Sequence, residues 1–228
     1  MYKERDIISY IIKLTKNKII EVPISPSWEF NKNKYFELMP TDFLNYAKID
    51  LRNGTKKSII NTLSNIKRAL HCQTDCILKS FGLYKSRMNF PEKLKTMAKI
   101  GIVDANILSK INKNRNLLEH EYVIPNKDQV EDFFSATSLF TSATTKFIQK
   151  RVIFIEIHRT RGFHDVRLEY SPKDRKMKIS FSIYSKWKKR KEGGKSAIVT
   201  THSFFINDED NDFYRILRKY NEIIDLMI

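Results

Sequence analysis

Cysteine is scarce in this sequence: Cys72 and Cys76 are the only two among 228 residues. They stand one helical turn apart, and a metal site that joined them to His71 would lack two further ligands at suitable spacing. Buried, reduced thiols are therefore expected, and nothing indicates an oxidising compartment. No segment is apolar enough to span a bilayer, and Ile7–Leu14 is too short and too interrupted for a signal sequence. We expect a soluble, cytoplasmic protein.

Glycine is also scarce, with six residues in the chain. The pair Gly193-Gly194 lacks the strand–loop–helix setting of a phosphate-binding loop. No carboxylates stand at a spacing that clearly makes a two-metal site. Composition does not exclude a Ser-His-Asp triad, but the nucleophile-elbow pattern is absent. Metal-dependent and nucleotide-binding chemistries are therefore disfavoured, and no cofactor is expected.

Basic residues are in large excess: the formal net charge is +16 and the sequence pI is about 9.7. An excess of this size favours polyanionic partners, most simply RNA or DNA. The charge is uneven, since residues 151–205 contain 14 basic against 5 acidic side chains, whereas the final 23 residues contain 3 against 6. Hydrophobic residues at 41% and aromatics at 12% indicate a folded chain.

The densest basic cluster is Lys186, Trp187, Lys188, Lys189, Arg190 and Lys191. A flexible basic loop carrying a tryptophan can follow a phosphate backbone and stack on a base, at roughly 1–3 kcal/mol per stacked base. The same residues are equally compatible with a solvated hairpin tip whose tryptophan folds back on the sheet. Both interpretations stay open at this point.

Residues 41–150 show the apolar periodicity of helices. Thr41 and Asp42 cap a helix to about Leu51, and Asn53-Gly54 marks a turn. Further helices are expected from Thr55 to about Gly82, over Glu92–Ile100, from Asp104, and from Asn126 or Asp128. In the helix from Thr55, the residues expected to face inward are Ile59, Ile60, Leu63, Ile66, Leu70, Ile77 and Phe81. In the helix from Asn126 or Asp128 and just after it, they are Val130, Phe133, Phe134, Leu139 or Phe140, Phe147 and Ile148. Short loops between them predict an antiparallel bundle.

Beyond residue 150 the period changes to two, as in the run Val166, Leu168, Tyr170. An antiparallel sheet of three or four strands is expected, followed by a final helix from about Asp210 to Met227. Residues 1–40 are of uncertain structure, with a short helix through Leu14 and a strand at Ile19–Ile24. The predicted organisation is an α+β protein: an N-terminal segment (1–40), a helical bundle (41–150) and a basic, β-rich module with a C-terminal helix (151–228).

Four polar side chains crowd the end of the helix that starts at Asp104: Arg115, Asn116, His120 and Tyr122. Helical spacing places Arg115 on the inward face, where a guanidinium needs an anion or a wet cleft. The simpler interpretation is an Arg115–Glu119 pair with His120 capping the helix end. That pair has the less favourable order of charges along a helix.

The pattern Arg115-Asn116-x-x-x-His120-x-Tyr122 resembles the Arg-x4-His-x-Tyr signature of HEPN domains, small helical bundles found in many prokaryotic RNases and toxins. The resemblance implies a HEPN-like bundle and a metal-independent endoribonuclease, of the toxin–antitoxin or antiviral defence type, with its cleft between two protomers. In HEPN toxins paired with nucleotidyltransferase antitoxins, the tyrosine matching Tyr122 is modified with AMP. The β-rich module is a departure from the smallest HEPN toxins.

These residue types suit RNA cleavage through the 2′-hydroxyl. His120 is the expected general acid/base, and Arg115 is the group that stabilises charge on the phosphate. Asn116 is expected to orient His120 or the phosphate, and Tyr122 to position the site. Regular helix geometry separates Arg115 and His120 by about 140°, at roughly 100° per residue, which favours a homodimer that pools two motifs. The alternatives are a non-catalytic dimerisation module with a basic RNA- or DNA-binding extension, and a regulatory subunit that docks on a protein.

Overall fold

The computed structural model describes residues 4–13, 24–31, 34–103, 126–160, 163–189 and 195–227, with the backbone alone at 159–160, 163–164, 184–189 and 195–199. The chain forms two compact units. One, the sheet unit, comprises Met1–Glu29 and Arg151–Ile228, and the other, the helical unit, comprises Phe30–Lys150. The protein is of mixed α+β class with an antiparallel sheet.

The elements in chain order are α1 (Glu4–Ile12), β1 (Ile24–Phe30), α2 (Pro40–Asn53), α3 (Lys56–Ser80), α4 (Phe90–Lys99), α5 (Lys127–Thr144), α6 (Lys146–Gln149), β2 (Lys150–Thr160), β3 (Phe163–Ser171), β4 (Lys176–Lys189), β5 (Lys195–Asn207) and α7 (Phe213–Met227). The predicted motif helix from Asp104 lies outside the described residues.

Local sequence signals set the ends of α2 and the start of α3. Pro40 occupies the first turn of α2, where its missing N–H has no helical partner to lose, and the Asp42 carboxylate accepts the Met39 N–H at 2.7 Å. Gly54, at φ 65°, ends α2 in the left-handed conformation that glycine adopts without strain. The Thr55 hydroxyl accepts the Ser58 N–H at 3.1 Å and starts α3.

The long helix α3 is the centre of the helical unit and packs against α2, α4, α5 and α6. The predicted inward residues of α3 are buried, with the exception of Ile60, which is 49% exposed. That expectation was wrong because one residue step, about 100°, turns Ile60 away from its buried neighbour Ile59 and onto the face that carries Lys56 and Lys57. Of the two alternative inward residues predicted in α5, Phe140 is buried and Leu139 is exposed.

A seam of buried polar side chains joins α3 to α5. The Gln73 amide donates to the Thr144 hydroxyl at 2.8 Å and to the Thr141 carbonyl at 3.3 Å, and the Thr144 hydroxyl donates to the Phe140 carbonyl at 2.7 Å. The hydroxyls of Thr137 and Thr141 are also buried, and neither has a hydrogen-bond partner among the described residues. The seam therefore mixes satisfied and unsatisfied groups within one helix contact.

The sheet has five strands in the order β1-β2-β3-β4-β5. The sheet has one strand more than the three or four expected, because β1 (Ile24–Phe30) joins it. The strand predicted at Ile19–Ile24 lies, except for Ile24, outside the described residues. The inner face of the sheet is apolar, and α7 packs on it through ring contacts of Tyr170 with Phe213 and Tyr220. In turn α1 packs against α7.

Candidate functional site

The four predicted catalytic residues, Arg115, Asn116, His120 and Tyr122, lie outside the described residues. In the chain they fall between the end of α4 and the start of α5. Their roles and the predicted homodimer stay predictions. The geometry that is described concerns the other predicted surface, the basic cluster, and the sheet that carries it.

The basic cluster begins within a strand. Lys186, Trp187, Lys188 and Lys189 are the last residues of β4, so this part of the cluster is not a flexible loop. On β5, Ile198 faces Lys186, Ala197 faces Trp187, Ser196 faces Lys188 and Lys195 faces Lys189. Arg190 and Lys191 lie outside the described residues. The backbone thus holds four of the six predicted binding residues in a fixed register.

This stretch of β4 and β5 runs past the end of β3. The last β3–β4 pair is Asp165 with Ser182, and β3 begins only two residues earlier, at Phe163. The β4–β5 pairing continues beyond that point, through an irregularity between Tyr184 and Lys186, to Lys189. We call residues 186–189 and 195–198 the basic ribbon. The ribbon therefore begins where the register of β4 with β5 shifts, between Tyr184 and Lys186.

The outer face of the sheet, opposite α7, is polar and half-exposed. Its central part is a ladder of charges in which Arg167 donates to Glu169 at 2.7 Å and to Glu156 at 3.2 Å, and Lys178 pairs with Glu169 at 3.3 Å. The Arg167 guanidinium also lies 3.6 Å from the centroid of the Phe154 ring. Because its charges pair with one another, the ladder offers little net attraction to a polyanion.

Next to this ladder on the outer face, three side chains form a hydrogen-bonded row across β1, β2 and β3. His158 Nδ1 lies 2.8 Å from Asp165 Oδ1, and His158 Nε2 lies 3.2 Å from Ser25 Oγ. His158 and Asp165 face each other in the register of the β2–β3 hairpin. The side chains of His158 and Asp165 are 34% and 36% exposed. We call these residues the Ser25–His158–Asp165 row.

Sequence reasoning did not find this row. A signal existed for two of its members, since His158 and Asp165 belong to extended runs that follow each other closely in the chain, and the register of β2 with β3 places them opposite each other. No local signal existed for Ser25, because its strand is far away in the chain.

A second basic surface lies where α1 meets α7. A groove of about 390 Å³ is lined there by Arg5, Lys13, Arg215 and Asp212, with apolar residues of α1 between them. Arg215 donates to Asp212 at 2.7 Å, which neutralises one of the cations. The other two cations of the lining, Arg5 and Lys13, are exposed.

The two thiols differ in acidity. A hydrogen bond with Cys76 lowers the pKa of Cys72, which is half-buried. The same hydrogen bond, followed by burial, raises the pKa of Cys76. Both are free thiols; Cys76 is buried, as expected, whereas Cys72 is only half-buried. Across the described part of the chain, no three His, Cys, Asp or Glu side chains are grouped so that they could hold a metal ion.

Within the described ranges, none of the helices has the length and apolar character needed to cross a membrane. In comparisons with protein-family models, curated proteins and solved structures, nothing matches this chain.

Proposed function

We propose that this protein is a metal-independent endoribonuclease of HEPN type, with its chemistry at Arg115 and His120 in the helical unit and its RNA held by the basic ribbon. The single observation that carries the nucleic-acid part is the ribbon itself. The ribbon places the start of the densest basic cluster on paired strands that extend beyond β3. The chain as a whole has a net charge of +16. Cations at fixed spacing suit the regularly spaced phosphates of a nucleic-acid strand.

The chemistry proposed for the motif follows from its two charged groups. His120 takes the proton of the 2′-hydroxyl or returns one to the leaving 5′-oxygen, and Arg115 stabilises the charge that develops on the phosphate. Asn116 orients these groups and Tyr122 positions the site. The products are a 2′,3′-cyclic phosphate and a 5′-hydroxyl, and no metal takes part. Two copies of the motif across a twofold axis bring an arginine and a histidine to one phosphate.

The HEPN resemblance extends the proposal to a biological setting. It implies a helical bundle of HEPN type at 41–150 and a homodimeric toxin or antiviral defence effector acting on RNA in the cytoplasm. In the HEPN toxins that are paired with nucleotidyltransferase antitoxins, the antitoxin attaches AMP to the tyrosine that matches Tyr122, and such an antitoxin is a candidate partner of this chain. A bulky anionic group at that position would block entry of an RNA phosphate through steric and charge repulsion.

The test of the enzyme proposal is cleavage of labelled RNA by the purified chain in EDTA. His120→Ala is expected to lower the rate about 100-fold or more, the usual contribution of a positioned acid/base group, and to leave RNA affinity nearly unchanged. His164→Ala is the matched control, since His164 also follows an arginine by five positions. Full activity of His120→Ala would refute the catalytic assignment.

The test of the ribbon is the salt dependence of RNA binding. Replacing Lys186, Lys188 and Lys189 by glutamine is expected to weaken binding and to reduce the slope of log affinity against log salt by about one for each lost phosphate contact. Lys56, Lys57 and Lys95, three exposed lysines of the helical unit, serve as the control triple replacement. An unchanged slope in the ribbon variant would remove the ribbon from the proposal.

One observation favours a second candidate, a non-catalytic dimerisation module whose extension binds RNA or DNA. A two-stranded β-ribbon fits the major groove of B-form DNA, whereas the deep, narrow major groove of A-form RNA excludes it. On this alternative the chain retains labelled nucleic acid in EDTA without cleaving it and prefers duplex DNA to single-stranded RNA. Preference for single-stranded RNA together with cleavage supports the enzyme.

A further inference from the structure

We propose that Ser25 is a nucleophile activated by His158 and Asp165, and that this row accepts acyl groups from carboxylic esters. The proposal does not rest on the ribonuclease assignment, since none of its three residues belongs to the Arg115–His120 motif or to the basic ribbon. It rests on the order of contacts found on the outer face of the sheet: carboxylate to Nδ1, then Nε2 to hydroxyl.

The row has the connectivity that activation of a serine requires. A carboxylate on Nδ1 selects the tautomer whose Nε2 lone pair faces the serine, and it stabilises the imidazolium that forms when Nε2 takes a proton. The distance of 2.8 Å on the carboxylate side is that of a strong hydrogen bond, and the 3.2 Å on the serine side is within reach of proton transfer. The three groups therefore form a relay from Asp165 to the Ser25 hydroxyl.

The neighbouring cation does not compete for the carboxylate of the row. Arg167 stands two residues after Asp165 on the same face, but its guanidinium is taken up by Glu156 and Glu169. Asp165 thus keeps His158 as the partner for its Oδ1 atom.

The reaction is a two-step acyl transfer in which atoms and electrons balance. Ser25 Oγ bonds to the carbonyl carbon of the ester while its proton moves to His158 Nε2. The bond between that carbon and the alkoxide oxygen then breaks, and the alcohol leaves with the proton from Nε2. Water repeats the sequence on the acyl-serine, releases the carboxylic acid and restores Ser25. Water is the only co-reactant, and neither an oxidant nor a reductant is needed.

The surroundings of the row select esters over amides. Ser25 is exposed on the outermost strand β1, and the side chains of His158 and Asp165 are about one third exposed, so water is not excluded. Electrostatic stabilisation is weaker in a wet site. An ester needs less of it than an amide because an alkoxide leaves more readily than an amine anion. Small activated esters are therefore the expected substrates.

The experiment uses the full chain with a fluorophosphonate probe, followed by peptide mapping, and with p-nitrophenyl acetate as the ester. Covalent labelling at Ser25 is expected, with loss of label in Ser25→Ala. Asp165→Asn is expected to lower the labelling rate at least tenfold, and Asp165→Glu to recover part of it. His158→Ala is expected to lose labelling and to regain it with added imidazole, which a merely structural histidine would not allow.

Ser182→Ala is the matched control, because Ser182 lies on the same face and is hydrogen-bonded to Thr201 at 3.2 Å. It should label and hydrolyse like the wild type. Circular dichroism of each variant confirms that the fold is retained. If Asp165→Asn unfolds, Asp165→Glu and the imidazole rescue of His158→Ala still test the proposal. Absence of label at Ser25, or labelling of Ser25 at an equal rate in His158→Ala, would overturn the proposal.

Discussion

The buried seam between α3 and α5 supports a sharp prediction, because two threonines of one helix differ in a single respect. Thr137 and Thr144 are 0% and 2% exposed. The Thr144 hydroxyl accepts from Gln73 and donates to the Phe140 carbonyl, whereas the Thr137 hydroxyl has no partner among the described residues. Valine has nearly the shape of threonine, so Thr137→Val and Thr144→Val change hydrogen bonding and leave packing alone.

The two variants are expected to shift the free energy of unfolding in opposite directions. Removing an unpaired buried hydroxyl releases part of a desolvation penalty of about 1–3 kcal/mol, so Thr137→Val should stabilise the helical unit by about 1 kcal/mol. Thr144→Val removes two hydrogen bonds and leaves the Gln73 amide with only the Thr141 carbonyl at 3.3 Å. A loss of about 2 kcal/mol is expected. The separation of about 3 kcal/mol is well above experimental error.

Urea unfolding followed by circular dichroism at the helix band measures both variants. Tryptophan fluorescence is unsuitable, because Trp28 and Trp187 both lie outside residues 30–150. Equal slopes of free energy against urea are required for a simple comparison. If Thr137→Val destabilised the helical unit as much as Thr144→Val does, the reasoning would fail, and the Thr137 hydroxyl would have to be bound to an internal water.

Three further predictions concern ionisable groups. Burial raises the pKa of Tyr220, so the folded state keeps a phenol proton that the unfolded chain releases near pH 10. The contribution of this group to stability is therefore fully present below about pH 10 and is lost as the pH rises above it. In thermal unfolding, Tyr220→Phe should lose less stability at alkaline pH than the wild type loses. At neutral pH it should be about 1 kcal/mol less stable than the wild type, because the hydrogen bond to the Val152 carbonyl is gone. Iodoacetamide should alkylate Cys72 before Cys76, and Cys76→Ala should slow the reaction, as mass spectrometry of the labelled peptides would show; equal rates would contradict the lowered pKa of Cys72. Lys93→Met should lower stability by about 3–5 kcal/mol in urea unfolding, because Lys93 pairs with Asp75 at 2.6 Å in a largely buried contact, and adding Asp75→Asn should recover most of the loss.

Local chemistry made the α2–α3 hairpin predictable from the sequence. A glycine with no steric penalty in the left-handed region follows α2, and a threonine that caps through its own hydroxyl starts α3, so the boundaries are encoded within a few residues. The alternation in β3 and β4 was equally local. Apolar residues alternate along each strand and lie on one face of the sheet, where Leu168 pairs with Ile179.

The parts that escaped prediction depend on residues far apart in the chain. The strand β1 is short, contains Pro26, and exists because β2 offers it an edge, a condition no window of sequence reveals. The Ser25–His158–Asp165 row inherits this difficulty, since Ser25 reaches His158 only through that pairing. The basic cluster was predictable from composition, but its place in a paired strand required the register of β4 with β5.

The pairing of β1 with β2 has a consequence for the order in which the protein is made. All of residues 31–149 lie between two neighbouring strands, and the Asn31 N–H donates to the Gln149 carbonyl at 2.7 Å, which ties the ends of that insert together. During synthesis β1 emerges first and then waits, with its edge unsatisfied, until the whole insert and β2 have been translated. Early folding of the inserted helices shortens the effective loop between β1 and β2. Folding of the insert therefore governs when the nascent sheet is completed.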